Sequence, residues 1–306
     1  MRYRGRFAPS PTGPLHFGSL IAALGSYCDA RRAQGEWLLR IEDVDTPRSR
    51  AGAESAILRA LERYGFEWDG DVVRQSERTD LYRAALERLL AQDDVFRCTC
   101  TRRTLEKAEL GVGREPVYPG TCRARPLKEA HDLPRHAWRL RVDTATDITF
   151  TDRLQGAQRQ LLARDVGDFV VQRSDGLFAY QLAVVVDDAE QHITDVVRGA
   201  DLLSSTPRQI HLQQRLGYAT PRYLHLPVAV NRSGAKLSKQ TNAPALPDDG
   251  LAPLLAAWRF LDQPLPPHEV ADVREFWAYA LAAWNAATLP PVPMLPADRT
   301  GFAGRE

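Results

Sequence analysis

The sequence predicts an α/β protein in which helices cover a parallel sheet, with a cysteine-bearing insertion inside this domain and a small helical subdomain after it. Three observations carry this prediction. Continuous apolar runs, typical of strands buried in a parallel sheet, alternate with helical patterns over residues 1–95. Turns and cysteines replace that alternation near Phe96, and two helical patterns follow residue 250.

The composition is that of a globular protein with more than one domain. The chain has 306 residues, of which 44% are hydrophobic and 26% are charged, which excludes disorder, collagen-like repeats and a coiled coil for the whole chain. At roughly 150 residues per domain, this length predicts two domains. No stretch approaches ~18 consecutive apolar residues, and the first residues lack the apolar run of a signal peptide. We therefore expect a cytoplasmic protein without a membrane span.

The first half of the parallel sheet is predicted over residues 1–95. A strand over residues 3–8 precedes a Pro- and Gly-rich turn, and Ser19 is a candidate cap for a helix that continues to about Gln34. Cys28 lies on the apolar face of that helix and is expected in the core. Trp37–Ile41 has the pattern of a buried strand, and residues 53–64 and 78–91 have helical patterns.

The pattern of apolar and turn-forming residues changes at residue 96. We expect an insertion over residues 96–165, because it is rich in turns and its later part alternates like strands. The second half of the sheet domain is predicted over residues 166–243. Its candidate strands are residues 169–171, 182–186 and 196–197. Residues 244–306 are expected to form a small helical subdomain, with helices near 251–262 and 268–286, and a loose tail.

The segment Ala8–Ser19 is a candidate phosphate-binding turn. A strand ends there, prolines and glycines hold the backbone open, and His16 precedes Gly18 at the start of a helix. Helix N-termini present free N–H groups and the positive end of the helix dipole, which suits phosphate. A tight turn with a surface histidine is the alternative for this segment alone.

A second candidate is the loop Lys236-Leu237-Ser238-Lys239-Gln240. Only four of the 40 basic residues are lysines, so two lysines three positions apart stand out in an arginine-rich chain. Lysine provides a compact and mobile point charge. Two ammonium groups on a mobile loop can close on a triphosphate and stabilise charge during nucleotidyl transfer. A solvated basic loop is the alternative. The overall charge does not indicate a nucleic-acid partner, since 40 basic residues face 39 acidic ones.

Three of the four cysteines, Cys98, Cys100 and Cys122, lie within 25 residues of one another. In a cytoplasmic chain this clustering favours metal over disulfides. Three thiolates and one further ligand would make a closed, structural zinc site. His131 and His136 are candidates for the fourth ligand, and three unligated thiols are the alternative to a metal site.

Together, the His16 and Lys236–Gln240 segments resemble the two signature motifs of class I aminoacyl-tRNA synthetases. Further segments resemble the catalytic domain of glutamyl-tRNA synthetases, and the resemblance covers about residues 3–262. These segments are Gly5–Gly13, Leu39–Asp43, Tyr180 with Val184–Asp188, and Val197–Asp201. The chain departs from the motifs at Ser19, in place of a second histidine, and at Gln240. Only 66 residues follow Gln240, so the chain resembles the shortened branch of this family, the glutamyl-queuosine tRNA(Asp) synthetases.

The resemblance implies a Rossmann-type class I synthetase domain and a role for each matched residue. It implies that glutamate binds Arg6, Phe7, Ala8, Pro9, Ser10, Glu42, Tyr180 and Arg198. Glu42 would hold the α-amino group, whereas the assignment of each arginine to one carboxylate stays open. His16, Gly18 and Lys239 would contact ATP, with His16, Lys239 and Lys236 as the catalytic residues. The resemblance also makes Tyr118 the fourth ligand of one structural Zn²⁺, beside Cys98, Cys100 and Cys122.

The expected activity is activation of L-glutamate with ATP and Mg²⁺, followed by transfer of glutamate to queuosine in tRNA(Asp). We expect a monomer. One alternative is a minimal glutamyl-tRNA synthetase that acts on tRNA(Glu). Another is a non-catalytic paralogue that binds tRNA or an amino acid, and a third is a small-molecule nucleotidyltransferase of the same fold. Neither a non-catalytic paralogue nor a small-molecule nucleotidyltransferase would need both phosphate motifs, the glutamate residues and the zinc insertion together.

Overall fold

The structure is a computed structural model that describes residues 2–105, 110–111, 116–124, 135–231, 233–237 and 244–300. Its strands are β1 (Arg4–Phe7), β2 (Glu36–Ile41), β3 (Val73–Arg74), β4 (Val95–Cys98), β5 (Ala137–Leu140), β6 (Asp147–Asp152), β7 (Gly156–Leu161), β8 (Phe169–Gln172), β9 (Asp195–Gly199), β10 (Arg222–Leu226), β11 (Val228–Val230) and β12 (Met294–Pro296). Its α-helices are α1 (Phe17–Arg32), α2 (Ala53–Arg63), α3 (Thr79–Ala91), α4 (Arg102–Leu105), α5 (Leu162–Asp165), α6 (Tyr180–Glu190), α7 (Thr206–Leu216), α8 (Leu251–Phe260) and α9 (Val273–Ala283).

Two parallel ladders lie side by side at the centre of the fold and confirm the predicted parallel sheet. In the first, β2 pairs with β1 on one side and with β3 on the other. In the second, β9 pairs with β10. Strand β9 lies beside β1, where the backbone N–H of Thr194 donates to Arg4 O at 2.9 Å. The chain therefore moves away from β1 in one direction through β2 and β3, and in the other through β9 and β10.

Helix α1 connects β1 to β2 and lies in the main hydrophobic core. Leu20, Leu24 and Cys28 are each at most 1% exposed, which confirms Cys28 as a core residue. The predicted cap at Ser19 is wrong. The helical hydrogen bonds begin at His16, which has an extended backbone and whose carbonyl accepts from the N–H of Leu20 at 3.0 Å. Ser19 consequently lies in the first turn of the helix.

The inserted region contains antiparallel structure. Strands β4, β5 and β8 form one antiparallel sheet in that order, and β6 and β7 form a hairpin. The expectation that residues 169–171 belong to the parallel sheet is therefore wrong, because they lie in β8 and pair antiparallel with β5. A short apolar run predicts a buried strand, but it does not indicate whether the neighbouring strand is parallel or antiparallel.

The predicted strand over residues 182–186 is also wrong, because these residues belong to helix α6. All five are at most 2% exposed, since α6 packs against α3, α7 and β8. A helix covered on several sides carries a continuous apolar run like that of a buried strand. This difference matters for the site, because Tyr180 begins α6 and Asp188 lies near its end.

The C-terminal helices share the core of the parallel sheet. Helices α8 and α9 pack on α1, Trp258 and Phe276 are fully buried, and the ring of Trp277 lies 4.9 Å from that of Tyr27. The expectation of a loose tail is wrong for Met294–Pro296, which forms β12 and pairs in parallel with β11. Among the described helices, none has both the length and the apolar composition that a membrane span requires.

Candidate active site

A cavity of about 640 Å³ opens at the carboxyl ends of β1 and β9. After β1 the chain continues toward one edge of the sheet, and after β9 it continues toward the other. Ligands of parallel sheets bind at such switch points, where the strand order reverses. The predicted site residues that line this cavity are Arg6, Phe7, Ala8, Pro9, Ser10, His16, Gly18, Glu42, Tyr180, Arg198 and Lys236. The fold thus brings together residues that lie up to 230 positions apart in the sequence. Lys239 lies outside the described residues.

The start of α1 forms one wall of the cavity. His16 occupies the N-cap position, and its ring lies against Gly18. A Cβ atom on Gly18 would lie 3.1 Å from Cε1 of His16 and 3.3 Å from the carbonyl oxygen of Leu237. Glycine therefore lets the histidine ring and the backbone of the lysine loop approach the first turn of the helix together.

Buried charges form the opposite wall. Arg6 donates from Nε to Oδ1 of Asp188 at 3.1 Å, and Arg40 donates from Nη2 to the same oxygen at 2.7 Å. Burial raises the pKa of Asp188, but the charges and hydrogen bonds of the two arginines outweigh it and hold that pKa below its usual range. Asp188 is therefore ionised at neutral pH and fixes the guanidinium of Arg6 at the cavity wall.

Glu42 lies in the same cluster with fewer partners. Its Oε1 is 3.5 Å from Nη2 of Arg40, and its side chain is 7% exposed. Burial raises the pKa of Glu42 to about 7, because the nearby Arg40 and Arg6 charges compensate only in part for the lost hydration. A cationic ligand beside Glu42 would favour its ionised form.

Tyr180 and Arg198 add two hydrogen-bond donors to the cavity. Burial, followed by the charge of Glu42, raises the pKa of Tyr180 to about 12, so its hydroxyl keeps its proton. Arg198 is 6% exposed and donates from Nε to Nε2 of His225 at 3.0 Å and from Nη2 to Oγ1 of Thr206 at 2.9 Å. Its buried Nη1 has no hydrogen-bond acceptor among the described residues. A carboxylate in the cavity would satisfy that nitrogen.

The lysine loop reaches the cavity from β11. Lys236 forms a bridge with Val230 and an ion pair with Asp201, which also lines the cavity. The backbone N–H of Leu237 donates to Ala229 O at 2.9 Å, and that of Leu246 donates to Leu15 O at 3.0 Å. Both ends of the loop are thus anchored next to the His16 segment. Ser238, Lys239 and Gln240 lie outside the described residues.

The three clustered cysteines come together as predicted. The Sγ atoms of Cys98, Cys100 and Cys122 lie within 4.8 Å of one another, and this trio could hold a metal ion. The hydroxyl of Tyr118 lies 3.5 Å from Sγ of Cys98 and 3.9 Å from that of Cys100. His136 instead packs its ring on Trp138, and His131 lies outside the described residues.

The spacing of these four atoms fits a tetrahedral zinc ion. With Zn–S bonds of about 2.3 Å, two sulfurs in a tetrahedron lie about 3.8 Å apart, and a sulfur and an oxygen about 3.5 Å apart. The observed separations are 3.7 Å between the sulfurs of Cys100 and Cys122 and 3.5 Å between Cys98 Sγ and the Tyr118 oxygen. The donor set is thus compatible with one structural Zn²⁺.

Sequence reasoning missed the residues behind the cavity. Asp188 contacts Arg6, and Thr206 and His225 contact Arg198. Arg40 contacts Asp188 in turn. None of these four was predicted as a site residue. One signal was present, because a carboxylate pair, Asp187 and Asp188, interrupts an otherwise apolar helix. Charged residues are almost never fully buried without a partner. Arg40 lies in the Leu39–Asp43 segment that resembles the synthetases, whereas nothing comparable in the local sequence marks Thr206 or His225.

The parallel sheet, the cavity at its switch point and the lysine loop beside α1 define the catalytic domain of a class I tRNA synthetase. The family model described as "tRNA synthetases class I (E and Q), catalytic domain" matches residues 2–249. Three similar proteins are named glutamyl-Q tRNA(Asp) synthetase. They come from Aromatoleum aromaticum (56% identity, 94% of this chain and 90% of the relative), Chromobacterium violaceum (54%, 95% and 97%) and Pseudomonas aeruginosa (52%, 97% and 98%). The chain belongs to this class I family, in the branch of the glutamyl-Q tRNA(Asp) synthetases.

Solved structures of glutamate-tRNA synthetases have a similar fold. The enzyme from Elizabethkingia anophelis matches with a TM-score of 0.81 at 25% identity, over 99% of this chain and 70% of that one. A glutamate tRNA ligase from Elizabethkingia meningosepticum, solved in complex with its amino acid, matches with a TM-score of 0.82 at 25% identity, over 99% and 68%. These matches confirm the predicted class I architecture.

Proposed function

We propose that this chain activates L-glutamate with ATP and transfers the glutamyl group to queuosine in tRNA(Asp). The charge pattern of the cavity carries the proposal. Two buried arginines, Arg6 and Arg198, and one buried carboxylate, Glu42, line a single cavity. Glutamate has two carboxylates and one ammonium group, so its charges complement these three side chains. Tyr180 adds a neutral donor, and the backbone of Arg6–Ser10 lines the same wall.

The first step is formation of glutamyl-adenylate. An oxygen of the glutamate α-carboxylate attacks the α-phosphorus of ATP, and the bond from that phosphorus to the oxygen bridging to the β-phosphate breaks, releasing pyrophosphate. No general base is required, because the carboxylate is ionised at neutral pH. His16 and the first turn of α1, which line the cavity, would contact phosphate, and Lys236 and Lys239 would stabilise the charge that develops. Mg²⁺ would accompany ATP.

The second step transfers the glutamyl group. A hydroxyl of the queuosine cyclopentenediol attacks the acyl carbon, the bond to the AMP oxygen breaks, and the hydroxyl proton passes to solvent. The names of the relatives, each matched over at least 90% of its own length, support queuosine in tRNA(Asp) as the acceptor. Because ATP and tRNA are the substrates, we place the reaction in the cytoplasm, and we propose that the chain acts as a monomer.

We further propose that Cys98, Cys100, Tyr118 and Cys122 hold one Zn²⁺. A closed site of four protein ligands leaves no position for substrate, so the ion would stabilise the insertion and take no part in the reaction. The short donor separations around Tyr118 support tyrosine rather than histidine as the fourth ligand.

The similarity to glutamate-tRNA ligases favours tRNA(Glu) as the second candidate acceptor. Incorporation of labelled glutamate with ATP separates the two functions. Three acceptors are compared: tRNA(Asp) with queuosine, tRNA(Asp) with guanosine at that position, and tRNA(Glu). We expect label only on the queuosine-bearing tRNA. Label on tRNA(Glu) would assign the second function, and no label on any of the three would indicate a binding protein.

A further inference from the structure

A chain of three buried side chains connects the inserted hairpin to the cavity. Oδ2 of Asp152, at the end of β6, lies 2.6 Å from Nδ1 of His225 in β10. Nε2 of the same histidine lies 3.0 Å from Nε of Arg198 in β9. The exposed fractions of Asp152, His225 and Arg198 are 2%, 0% and 6%. These contacts join residues that lie 73 and 27 positions apart in the sequence.

The chemistry of the donors determines the protonation of His225. The Nε–H group of an arginine can only donate, so Nε2 of His225 must accept and carries no proton. Nδ1 of the neutral ring then carries the proton and donates it to Asp152. Burial, together with the Arg198 charge, lowers the pKa of His225 to about 4 against the opposing effect of Asp152. The neutral ring is consistent with the direction of both hydrogen bonds.

Asp152 is itself fixed by the turn of the hairpin. Its Oδ1 accepts from the backbone N–H groups of Leu154 at 3.0 Å, Gln155 at 2.8 Å and His225 at 3.2 Å. This leaves Oδ2 for the imidazole. The hairpin β6–β7 therefore orients the carboxylate, and the carboxylate selects the tautomer of His225.

These contacts occupy one edge of the Arg198 guanidinium. Nε is held by His225 and Nη2 by Thr206, whereas buried Nη1 has no acceptor among the described residues. We infer that Asp152 and His225 are positioning residues that fix the plane of Arg198, so that Nη1 meets a substrate carboxylate. This inference rests on the proposed role of Arg198 in binding glutamate. It assigns the hairpin of the insertion a function in amino-acid binding.

The variant Asp152→Asn tests this inference with a change of one atom. Three backbone donors require the amide oxygen at the position of Oδ1, which places the amide NH₂ group against Nδ1 of His225. The imidazole must then move its proton to Nε2, where it faces the N–H of Arg198. We expect the KM for glutamate in ATP–pyrophosphate exchange to rise about 10- to 100-fold, with the KM for ATP unchanged, as for a lost hydrogen bond to a charged group.

A second substitution separates positioning from stability. In Asp152→Asn/His225→Gln, the glutamine oxygen can accept from Arg198 without any choice of tautomer. We expect the double variant to bind glutamate more tightly than Asp152→Asn. If the two substitutions only destabilised the fold, their effects would add, and the double variant would bind glutamate more weakly than the single one. Asp147→Asn is the matched control, because Asp147 lies on the same strand and its ion pair within the described part of the chain is with exposed Arg159.

The outcomes are distinguishable. A wild-type protein without glutamate-dependent exchange would overturn the proposed function and the inference with it. A wild-type protein that exchanges normally, with an unchanged KM in Asp152→Asn, would overturn only the positioning role. So would equal losses in the single and double variants with equal losses in melting temperature. Recovery of glutamate affinity in the double variant supports the inference.

Discussion

Arg40 donates from Nη2 to Oδ1 of Asp188 at 2.7 Å, and the two side chains are 0% and 9% exposed. The same oxygen accepts from Nε of Arg6 at 3.1 Å, so Arg40 and Arg6 share one carboxylate. Arg40 also lies 3.5 Å from Glu42. Arg40, which does not line the cavity, therefore balances the charge of Glu42 at the cavity wall and of Asp188 behind it.

Replacing Arg40 by methionine is expected to destabilise the protein strongly. The substitution leaves Asp188 and Glu42 with one guanidinium between them in a buried site, and breaking a buried pair costs about 3–5 kcal/mol. Urea denaturation measures the free energy of unfolding. The control is Arg83→Met, whose ion pair with Asp80 has side chains 58% and 89% exposed and contributes little. Equal stability of the two variants would contradict the role of Arg40.

Glutamate binding is expected to weaken as the pH falls below 7. The pKa of Glu42 is raised to about 7, mainly by burial, and only its ionised form can pair with the substrate ammonium. Below that pH the ionised fraction falls about tenfold per unit, and the KM for glutamate should rise in proportion. Glu42→Gln should bind glutamate poorly at every pH from 6 to 8.5. A wild-type KM that is independent of pH would show that Glu42 does not bind the ammonium group.

The same raised pKa predicts how stability depends on pH. Because Glu42 ionises near pH 4.5 when unfolded and near 7 when folded, its contribution to the stability of the ligand-free protein is lost as the pH rises between these values. Glu42→Gln should therefore be more stable than wild type at pH 8 and not at pH 4. Thermal unfolding without ligand at both values measures the difference. A variant that is less stable at pH 8 would contradict the prediction.

Much of the cavity could be predicted from the sequence, because its residues lie in short segments with local signatures. Arg6, His16 and Glu42 belong to segments at the ends of strands or the start of a helix, where ligands bind parallel sheets. Arg40 and Asp188 could not be paired in the same way. They lie 148 positions apart, and their contact exists only once α6 packs beside the sheet. A buried ion pair of this kind depends on tertiary structure alone.

The errors in the fold have a similar origin. Residues 182–186 have the apolar composition of a buried strand, but they lie in helix α6, which is buried by α3, α7 and β8. Residues 169–171 form a strand as predicted, but it pairs antiparallel with β5 and does not belong to the parallel sheet. Met294 to Pro296 contains too little local signal to predict a strand, because β12 is stabilised by its pairing with distant β11.

The fourth ligand of the cysteine cluster can be identified by substitution. Tyr118→Phe removes the oxygen that lies 3.5 Å from Cys98 Sγ, so zinc affinity should fall while three thiolates remain. Cys98→Ser should release about one zinc per chain and lower the melting temperature. His136→Ala should retain the metal. Metal content after dialysis against a chelator checks all three, and loss of zinc from His136→Ala but not from Tyr118→Phe would reverse the assignment.

Lys239→Ala is expected to abolish adenylate formation while the fold persists. An ammonium group that stabilises charge only in the transition state contributes about 100- to 1,000-fold to kcat. ATP–pyrophosphate exchange with glutamate measures the loss, and circular dichroism confirms the fold. Lys236→Ala should have a smaller effect, because Lys236 already forms an ion pair with Asp201. Lys128→Ala, a lysine outside both motifs, is the control. Normal activity of Lys239→Ala would remove that lysine from the mechanism.

Gly18→Ala tests the close approach between α1, His16 and the lysine loop. Alanine favours a helix by up to ~1 kcal/mol over glycine, so the substitution should not destabilise α1 itself. Its Cβ would lie 3.1 Å from the His16 ring and 3.3 Å from Leu237 O, and one of them must move. We expect a fall in kcat of at least about tenfold, since misplacement by a fraction of an ångström impairs positioning. Thermal unfolding of Gly18→Ala checks that the fold is kept, so that a loss of activity can be assigned to position and not to stability. Full activity of Gly18→Ala would mean that neither His16 nor the loop needs its present position for adenylate formation.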